Sequence, residues 1–366
     1  MRGRSVKATI GAIDKSSQFY SIRFLCLLLS AFCCPKIQSE SQITDKMSAN
    51  QTTIANDAPH AVTPYPAQNF RMVALDLDGT LLNSKHTLSE VTKEYLRRLD
   101  QKGFTVIFAT GRALPTVYEA IAALKLPKAL PVVCSNGAEG FLCSVEPDGV
   151  TIRKEPLFST PVPEAVAKRT IDLSKELGFV TQYYIGDEIY ADPREKIHFD
   201  LTGKYIELTG SKTQYVQDHF EKAFQKGLPS KQLVLCSPDE QDAMISVFEK
   251  ELSKDEYLID GKPATIVRGN LGWFLEVLHP DVHKGNGLKR MCQKLDIPVE
   301  ECVSFGDGDN DYDFLQYSGR GYAMKNARDV IKKVADEIIE YTNDEDGVVK
   351  TLQKLEREGY LVFPSS

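Results

Sequence analysis

From Arg71 onward the chain alternates between short apolar runs and longer stretches in which apolar residues recur every three or four positions. MVALDL (72–77) is a continuous apolar run closed by acids, the pattern of a strand buried on both faces of a parallel sheet. HTLSEVTKEYLRRLDQKG (86–103) puts Leu88, Val91, Tyr95 and Leu99 on one helical face, offers Thr87 and Glu90 as a capping box, and stops at Gly103. FTVIFAT (104–110) predicts the next strand, LPTVYEAIAALKL (114–126) a helix, and LPVVCSNG (130–137) a third strand. Strand and helix in regular alternation predict a doubly wound, parallel-sheet α/β (Rossmann-like) fold.

The same cadence returns near the C-terminus. GNGLKRMCQKL (285–295) reads as a helix, ECVSFGDGDND (301–311) as a strand ending in acids, and GRGYAMKNA (319–327) as a short strand and turn. The intervening sequence is mixed. PVPEAVAKRTIDLSKELG (161–178) is helical, whereas FVTQYYIGDEIYADP (179–193) and WFLEVLHP (273–280) predict strands with exposed aromatics. The expected organisation is therefore a core split into residues 71–156 and 282–366, with an α+β module inserted at 157–281. Residues 1–70 differ from the rest: Arg2, Arg4, Lys7, Lys15 and Arg23 precede the apolar run FLCLLLSAFCC (24–34), and a polar linker follows. That segment resembles a targeting leader for a secretory or organellar route, plastid or mitochondrion, without which the protein would be expected in the cytoplasm.

Composition narrows the function classes. At 366 residues with 42% hydrophobic and 26% charged positions, the chain can bury a sizeable core, and no apolar run reaches the ~18 residues that mark a membrane span. A net charge of -7 exerts no general pull on nucleic acid, so a small anionic substrate would need a local positive site. Cys134, Cys143, Cys236, Cys292 and Cys302 form an odd-numbered set in the body with no zinc-ligand spacing, and are expected to be buried thiols.

Four short pieces fall where a strand ends or a helix begins: DLDGT (76–80), ATGR (109–112), HKGNG (283–287) and GDGDND (306–311). In open α/β sheets that edge is where ligands bind. Asp76 and Asp78 lie two apart with Gly79 allowing a sharp turn, and two close carboxylates repel unless a cation sits with them. Asp307 and Asp311 add hard oxygen donors, and an all-oxygen set selects Mg²⁺ over zinc. Thr110, in the ATGR loop with Gly111, and Lys284 supply a hydroxyl and a fixed positive charge suited to phosphoryl oxygens. Asp76 at the strand tip is the candidate nucleophile, and Asp78 the candidate proton carrier, an acid expected to be raised beside an anionic substrate.

DLDGTLL, ATGR, Lys284 in HKGNGL, and FGDGDND together resemble the four ordered motifs of the haloacid dehalogenase-like (HAD) phosphatases. NGA (136–138), NDEDGV (343–348) and the long insertion are similar to the Cof-type subfamily with its large α/β cap. The resemblance implies that Asp76 is both nucleophile and Mg²⁺ ligand, and that Asp78 is the general acid/base with its backbone carbonyl on the metal. It further implies that Thr110 and Lys284 hold phosphate, Asp307 holds metal, and Asn310 and Asp311 support both. His283, where many relatives have a small residue, is a local departure. Arg112 reads as structural or as a surface group near the site, and Tyr183, Tyr184, Tyr190 and Trp273 as packing of the inserted module in preference to pocket lining. The implied activity is hydrolysis of a small organic phosphate, a sugar phosphate or similar; a phosphomutase on the same core, or a non-catalytic sugar-phosphate-binding protein, are the alternatives.

Overall fold

The computed structural model describes residues 69–364 except 218, 270 and 271, so the leader-like run at 24–34 lies outside the described residues. The chain enters with β1 (Met72–Leu75), α1 (Glu90–Gln101), β2 (Thr105–Ala109), α2 (Tyr118–Leu124), β3 (Leu130–Cys134), β4 (Glu139–Val145) and β5 (Ile152–Ser159). There follow α3 (Glu164–Leu177), β6 (Val180–Ile185), β7 (Glu188–Ala191), α4 (Lys196–Thr209), β8 (Thr213–Tyr215) and α5 (Glu221–Phe224). β9 (Lys231–Leu235), α6 (Gln241–Leu252), β10 (Thr265–Arg268) and β11 (Phe274–Leu278) complete that stretch. The chain closes with α7 (Lys284–Leu295), β12 (Cys302–Gly306), α8 (Tyr312–Tyr317), β13 (Arg320–Ala323), α9 (Asp329–Val334), β14 (Glu337–Ile338) and α10 (Gly347–Arg357).

Two sheets result. The first has the order β14-β13-β12-β1-β2-β3-β4-β5, in which the first six strands are parallel and β4 and β5 form an antiparallel extension. Successive strands step outward from β1 in one direction and from β12 in the other, so the topological switch point lies between these two neighbours. Their carboxyl ends carry DLDGT and GDGDND, and the fold alone therefore brings the two acidic pieces side by side. The α/β class is as the hydrophobic pattern predicts: every residue of β1, β3 and β12 is buried.

The second sheet, β10-β11-β9-β6-β7-β8, is antiparallel apart from the β7/β8 pair. Tyr183, Tyr184, Tyr190 and Trp273 are buried, as their reading as packing residues implies and contrary to the exposed aromatics expected of these strands, whereas Tyr215 on β8 is exposed. Tyr184 packs with Leu201 and Tyr205 of α4 and with Trp273, whereas Tyr183 and Tyr190 face the other way against Ile171, Val216 and Phe220. Strand side chains alternate in direction, and here both faces are covered, so both sets are buried.

Helix α1 corrects a second expectation. Its N-cap is Ser89, whose hydroxyl accepts from Thr92 N, and not a Thr87/Glu90 box; the Thr87 hydroxyl donates instead to Asn83 in the preceding turn. The buried face carries Thr92, Tyr95, Leu96 and Leu99, and Val91 is half exposed. The Ser89 hydroxyl also reaches Asp346, Ser84 reaches Asp344, and Asn343 Nδ2 donates to Leu82 O. The NDEDGV segment thus clamps the loop that follows the first motif. The five body cysteines are buried free thiols, and no described helix is long and apolar enough to cross a membrane.

One close approach positions the site. After β3 the chain turns through Ser135 (φ 51°), Asn136 (φ 55°) and Gly137 (φ 102°), all in the left-handed region. A Cβ on Gly137 would lie 2.9 Å from the His283 carbonyl carbon, and one on Gly287 would lie 2.6 Å from Gly137 Cα. Loop and helix α7 meet backbone to backbone, which only glycine permits. Gly137→Ala should therefore lower stability by about 2 kcal/mol or more through strain at positive φ and overpacking against backbone; an unchanged urea midpoint would show that the approach can relax.

Candidate functional site

Lys284 is the first residue of α7, and its ammonium is fully buried beside the segments that follow β1 and β12. There it pairs with Asp76 Oδ1 and, at 2.7 Å, with Asp311 Oδ1. Helix α7 is capped by His283, whose Nδ1 accepts from Asn286 N and whose ring packs edge-on against Tyr317. The histidine read as a local departure is a helix cap.

The acidic residues converge as the strand order requires. Asp76 follows β1 directly and hydrogen-bonds through its N–H to Phe305 O of β12. Asp311 Oδ2 accepts from the N–H groups of Asp307 and Gly308, both at 2.9 Å, which folds the GDGDND loop around its own carboxylate. Asp307 Oδ1 accepts from Thr80 Oγ1 at 2.8 Å. Gly79 sits at φ 75°, and a Cβ there would stand 2.8 Å from Asp307 Cγ, so a side chain would be strained and would displace the Asp307 carboxylate. Carboxylate oxygens of Asp76, Asp307 and Asp311 lie within 4.8 Å of one another.

Burial pushes Asp76 well above the usual carboxylate range, against the pull of Lys284. Burial and the neighbouring Asp311 raise Asp307 to about 6. Burial alone would lower Lys284, but Asp311 and Asp76 reverse the direction. Three carboxyl groups around one lysine leave a surplus of negative charge in a low-dielectric site. Three hard oxygen donors with that surplus fit a divalent cation such as Mg²⁺.

Asp78 stands apart. Beyond the end of β1 the chain turns through Gly79, and the Asp78 carboxylate points away from the other three, to Arg112 Nε at 2.7 Å and His86 Nδ1 at 3.2 Å. Partial burial pushes Asp78 up, but the hydrogen bonds and charges of Arg112 and His86 outweigh it and hold the group below the usual range. The rise expected beside an anionic substrate would have to overcome this pairing with Arg112, a residue read from sequence as structural or as a surface group near the site. His86 itself sits at φ 56°, a conformation uncommon outside glycine.

The remaining pieces are joined by Asn136. Its N–H donates to Thr110 O, its Oδ1 accepts from Asn310 Nδ2 at 2.9 Å, and its Nδ2 donates to Glu276 at 2.8 Å. Thr110 is buried, with its hydroxyl accepting from Arg112 N. The Gly111 carbonyl accepts from Lys231 Nζ at 2.9 Å. Of the sequence candidates, Asp76, Lys284, Asp307 and Asp311 form one cluster, Thr110, Gly111 and Asn310 are linked through Asn136, and the Asp78 side chain faces Arg112. Thr80, His86, Arg112, Lys231 and Glu276 were not singled out as site residues. Of these, Thr80 and Arg112 lay inside quoted motifs; Lys231 and Glu276 carry no short-range signal.

The sequence matches a family model described as haloacid dehalogenase-like hydrolase over residues 73–352. It is 30% identical over 308 residues to Phosphatase YwpJ of Bacillus subtilis, covering 78% of this chain and all of that protein. It is 26% identical over 291 residues to the 5-amino-6-(5-phospho-D-ribitylamino)uracil phosphatase YitU of the same organism, covering 77% and 96%. The crystal structure of TM0651 from Thermotoga maritima superposes with a TM-score of 0.65 at 24% identity, covering 78% of this chain and 97% of that one, which speaks to the fold.

Asp307 is raised on folding, so the stability it contributes is complete below its unfolded value of 3.8 and is lost as pH rises through about 6. In EDTA, Asp307→Asn should raise the thermal midpoint at neutral pH and flatten its fall between these values. Adding Mg²⁺ should stabilise the wild type by about 2.7 kcal/mol at a hundredfold excess over Kd. An equal Mg²⁺ response in the variant would remove Asp307 from the cation's ligands.

Proposed function

The chain belongs to the haloacid dehalogenase-like hydrolases and is a phosphatase of that family, and from this premise we propose that it hydrolyses a small organic phosphate monoester through an aspartyl-phosphate on Asp76. Mg²⁺ is the proposed resident cation, held by Asp76, Asp307, Asp311 and the Asp78 backbone. The sheet built on β1 and β12 is read as the catalytic core and the β6–β11 module as a cap that selects the leaving group. A sugar phosphate or comparably small phosphorylated metabolite fits this reading, as does the phosphorylated ribityl compound in the name of the YitU relative.

The observation that carries the reading is the buried lysine bridging Asp76 and Asp311 beside Asp307, at the switch point of the sheet. A buried surplus of negative charge is unfavourable in a structural role and suits the binding of a cation together with a phosphoryl group. When bound, Mg²⁺ supplies Lewis-acid charge neutralisation between the carboxylates and the phosphoryl oxygens.

In the proposed first step an Asp76 carboxylate oxygen forms a bond to phosphorus while the bond from phosphorus to the leaving oxygen breaks, and Asp78 gives that oxygen its proton. In the second step Asp78 takes a proton from water, whose oxygen attacks the acyl phosphate; inorganic phosphate leaves and Asp76 is regenerated. Lys284 pulls Asp76 toward its ionised, attacking form against the burial that raises it, a pull that a bound cation would reinforce, with Thr110, the Gly111 backbone and Asn310 orienting the phosphoryl group. Asp78 has to exchange Arg112 for the leaving oxygen, because the Arg112 pairing keeps it ionised.

Hydrolysis of para-nitrophenyl phosphate with Mg²⁺ should be lost in Asp76→Asn. In Asp78→Asn it should fall by roughly 10²–10⁴-fold, the usual worth of a positioned acid/base, with phospho-enzyme breakdown slowed and Mg²⁺ binding largely kept. Absence of wild-type turnover across a broad phosphate panel, or activity retained in Asp76→Asn, would overturn the reading.

A further inference from the structure

Two charged side chains of the second sheet are buried against the first. Lys231 on β9 and Glu276 on β11 pair at 2.7 Å, with side chains 1% and 9% exposed. A buried ion pair is weak as a source of stability, because desolvation consumes most of the attraction, and apolar replacements of similar volume are often neutral or better. Its presence here calls for another role, and its outer contacts supply one. Lys231 Nζ spends a second hydrogen bond on Gly111 O, in the loop carrying Thr110 and Arg112. The other Glu276 oxygen accepts from Asn136 Nδ2, whose Oδ1 in turn accepts from Asn310, one residue before Asp311.

The backbone supports the same reading. Asn136 is the middle of three consecutive left-handed residues, a strained turn that persists only where its surroundings hold it, and it aims one amide between the two sheets. The contacts on either side are apolar and tight. Ala113, just after ATGR, packs with Val180, Tyr184, Leu233 and Trp273, and Ala138, just after Asn136, packs with Leu278 and Val282.

We propose that Lys231, Glu276 and Asn136 are positioning residues: the hydrogen-bonded series Gly111–Lys231–Glu276–Asn136–Asn310 lets the second sheet set the geometry of both phosphate-facing loops. The site is complete only while β9 and β11 rest on those loops. Substrate that fits beneath the second sheet leaves the series intact, and one that props the sheets apart breaks it and lowers turnover after binding. The proposal rests on the phosphatase reading above.

The test compares wild type, Asp76→Asn, the double variant Lys231→Met/Glu276→Met, and Asn136→Gly, which tolerates the left-handed backbone and removes the whole side chain, amide included. Acetyl phosphate serves as a substrate with a small leaving group, acetate, and para-nitrophenyl phosphate as one with a larger, aromatic leaving group, with a melting curve for every variant. The double variant should melt cooperatively within a few degrees of wild type, yet both it and Asn136→Gly should lose roughly 10–100-fold in kcat on both substrates, as loops misplaced by about an ångström do. Wild-type kcat in folded variants overturns the proposal, and so does a rise in KM confined to para-nitrophenyl phosphate, which would make these residues leaving-group contacts. Should the double variant not fold, Asn136→Gly decides by the same kcat readout. A wild type no more active than Asp76→Asn fails the phosphatase reading and the proposal with it; an active wild type, an inactive Asp76→Asn and undiminished positioning variants fail the proposal alone.

Discussion

The ammonium of Lys284, enclosed between Asp76 and Asp311, is the interaction around which the core is arranged. Removing a cation and its carboxylates from water is unfavourable by several kcal/mol per ion unless each is closely partnered. The fold meets that demand with groups from distant parts of the chain: Lys284 and Asp76 are 208 residues apart, and Thr80 and Asp307 are 227 apart. The backbone N–H groups of Asp307 and Gly308 complete the Asp311 carboxylate. What remains uncompensated is negative charge, and in the proposed mechanism that residue of charge is what draws in the cation.

Sheet order makes this possible without long loops. β1 and β12 are neighbours at the switch point, so their carboxyl ends open into one crevice although the whole β6–β11 module intervenes in sequence. The chain leaves the first sheet after β5 and returns to it through helix α7, whose first residue is Lys284 itself. Glycine at 79, 137 and 287 then sets how near the loops come, since a single Cβ at any of them would meet neighbouring atoms well inside contact distance.

The two aspartates of DLDGT illustrate how a tertiary partner divides equivalent residues. Asp76 is buried and raised; Asp78, two positions on, is held low by Arg112 and His86. Their chemical identities are the same, and only the environments differ. In the proposed reaction that difference corresponds to attack by one and proton transfer by the other, with Arg112 deciding when the second is free.

Local sequence carried the parallel strands, the doubly wound class and the four motif positions, because a fully buried strand must be continuously apolar and a ligand edge must place acids and glycines where that strand ends. It carried less of α1, where the Thr87 hydroxyl donates to Asn83, Ser89 is the cap, and Val91 is half exposed. Tyr183, Tyr184, Tyr190 and Trp273 pack as read, but their exposure was misjudged, since alternation says which residues share a face but not whether that face is covered. Arg112 as the partner of Asp78, Asn136 as the link between loops, and the Lys231–Glu276 pair were decided by tertiary structure alone. Each depends on groups between 34 and 174 positions apart meeting in a low-dielectric space, where a charge is retained only with its partner, and no spacing along the chain records which partner that will be.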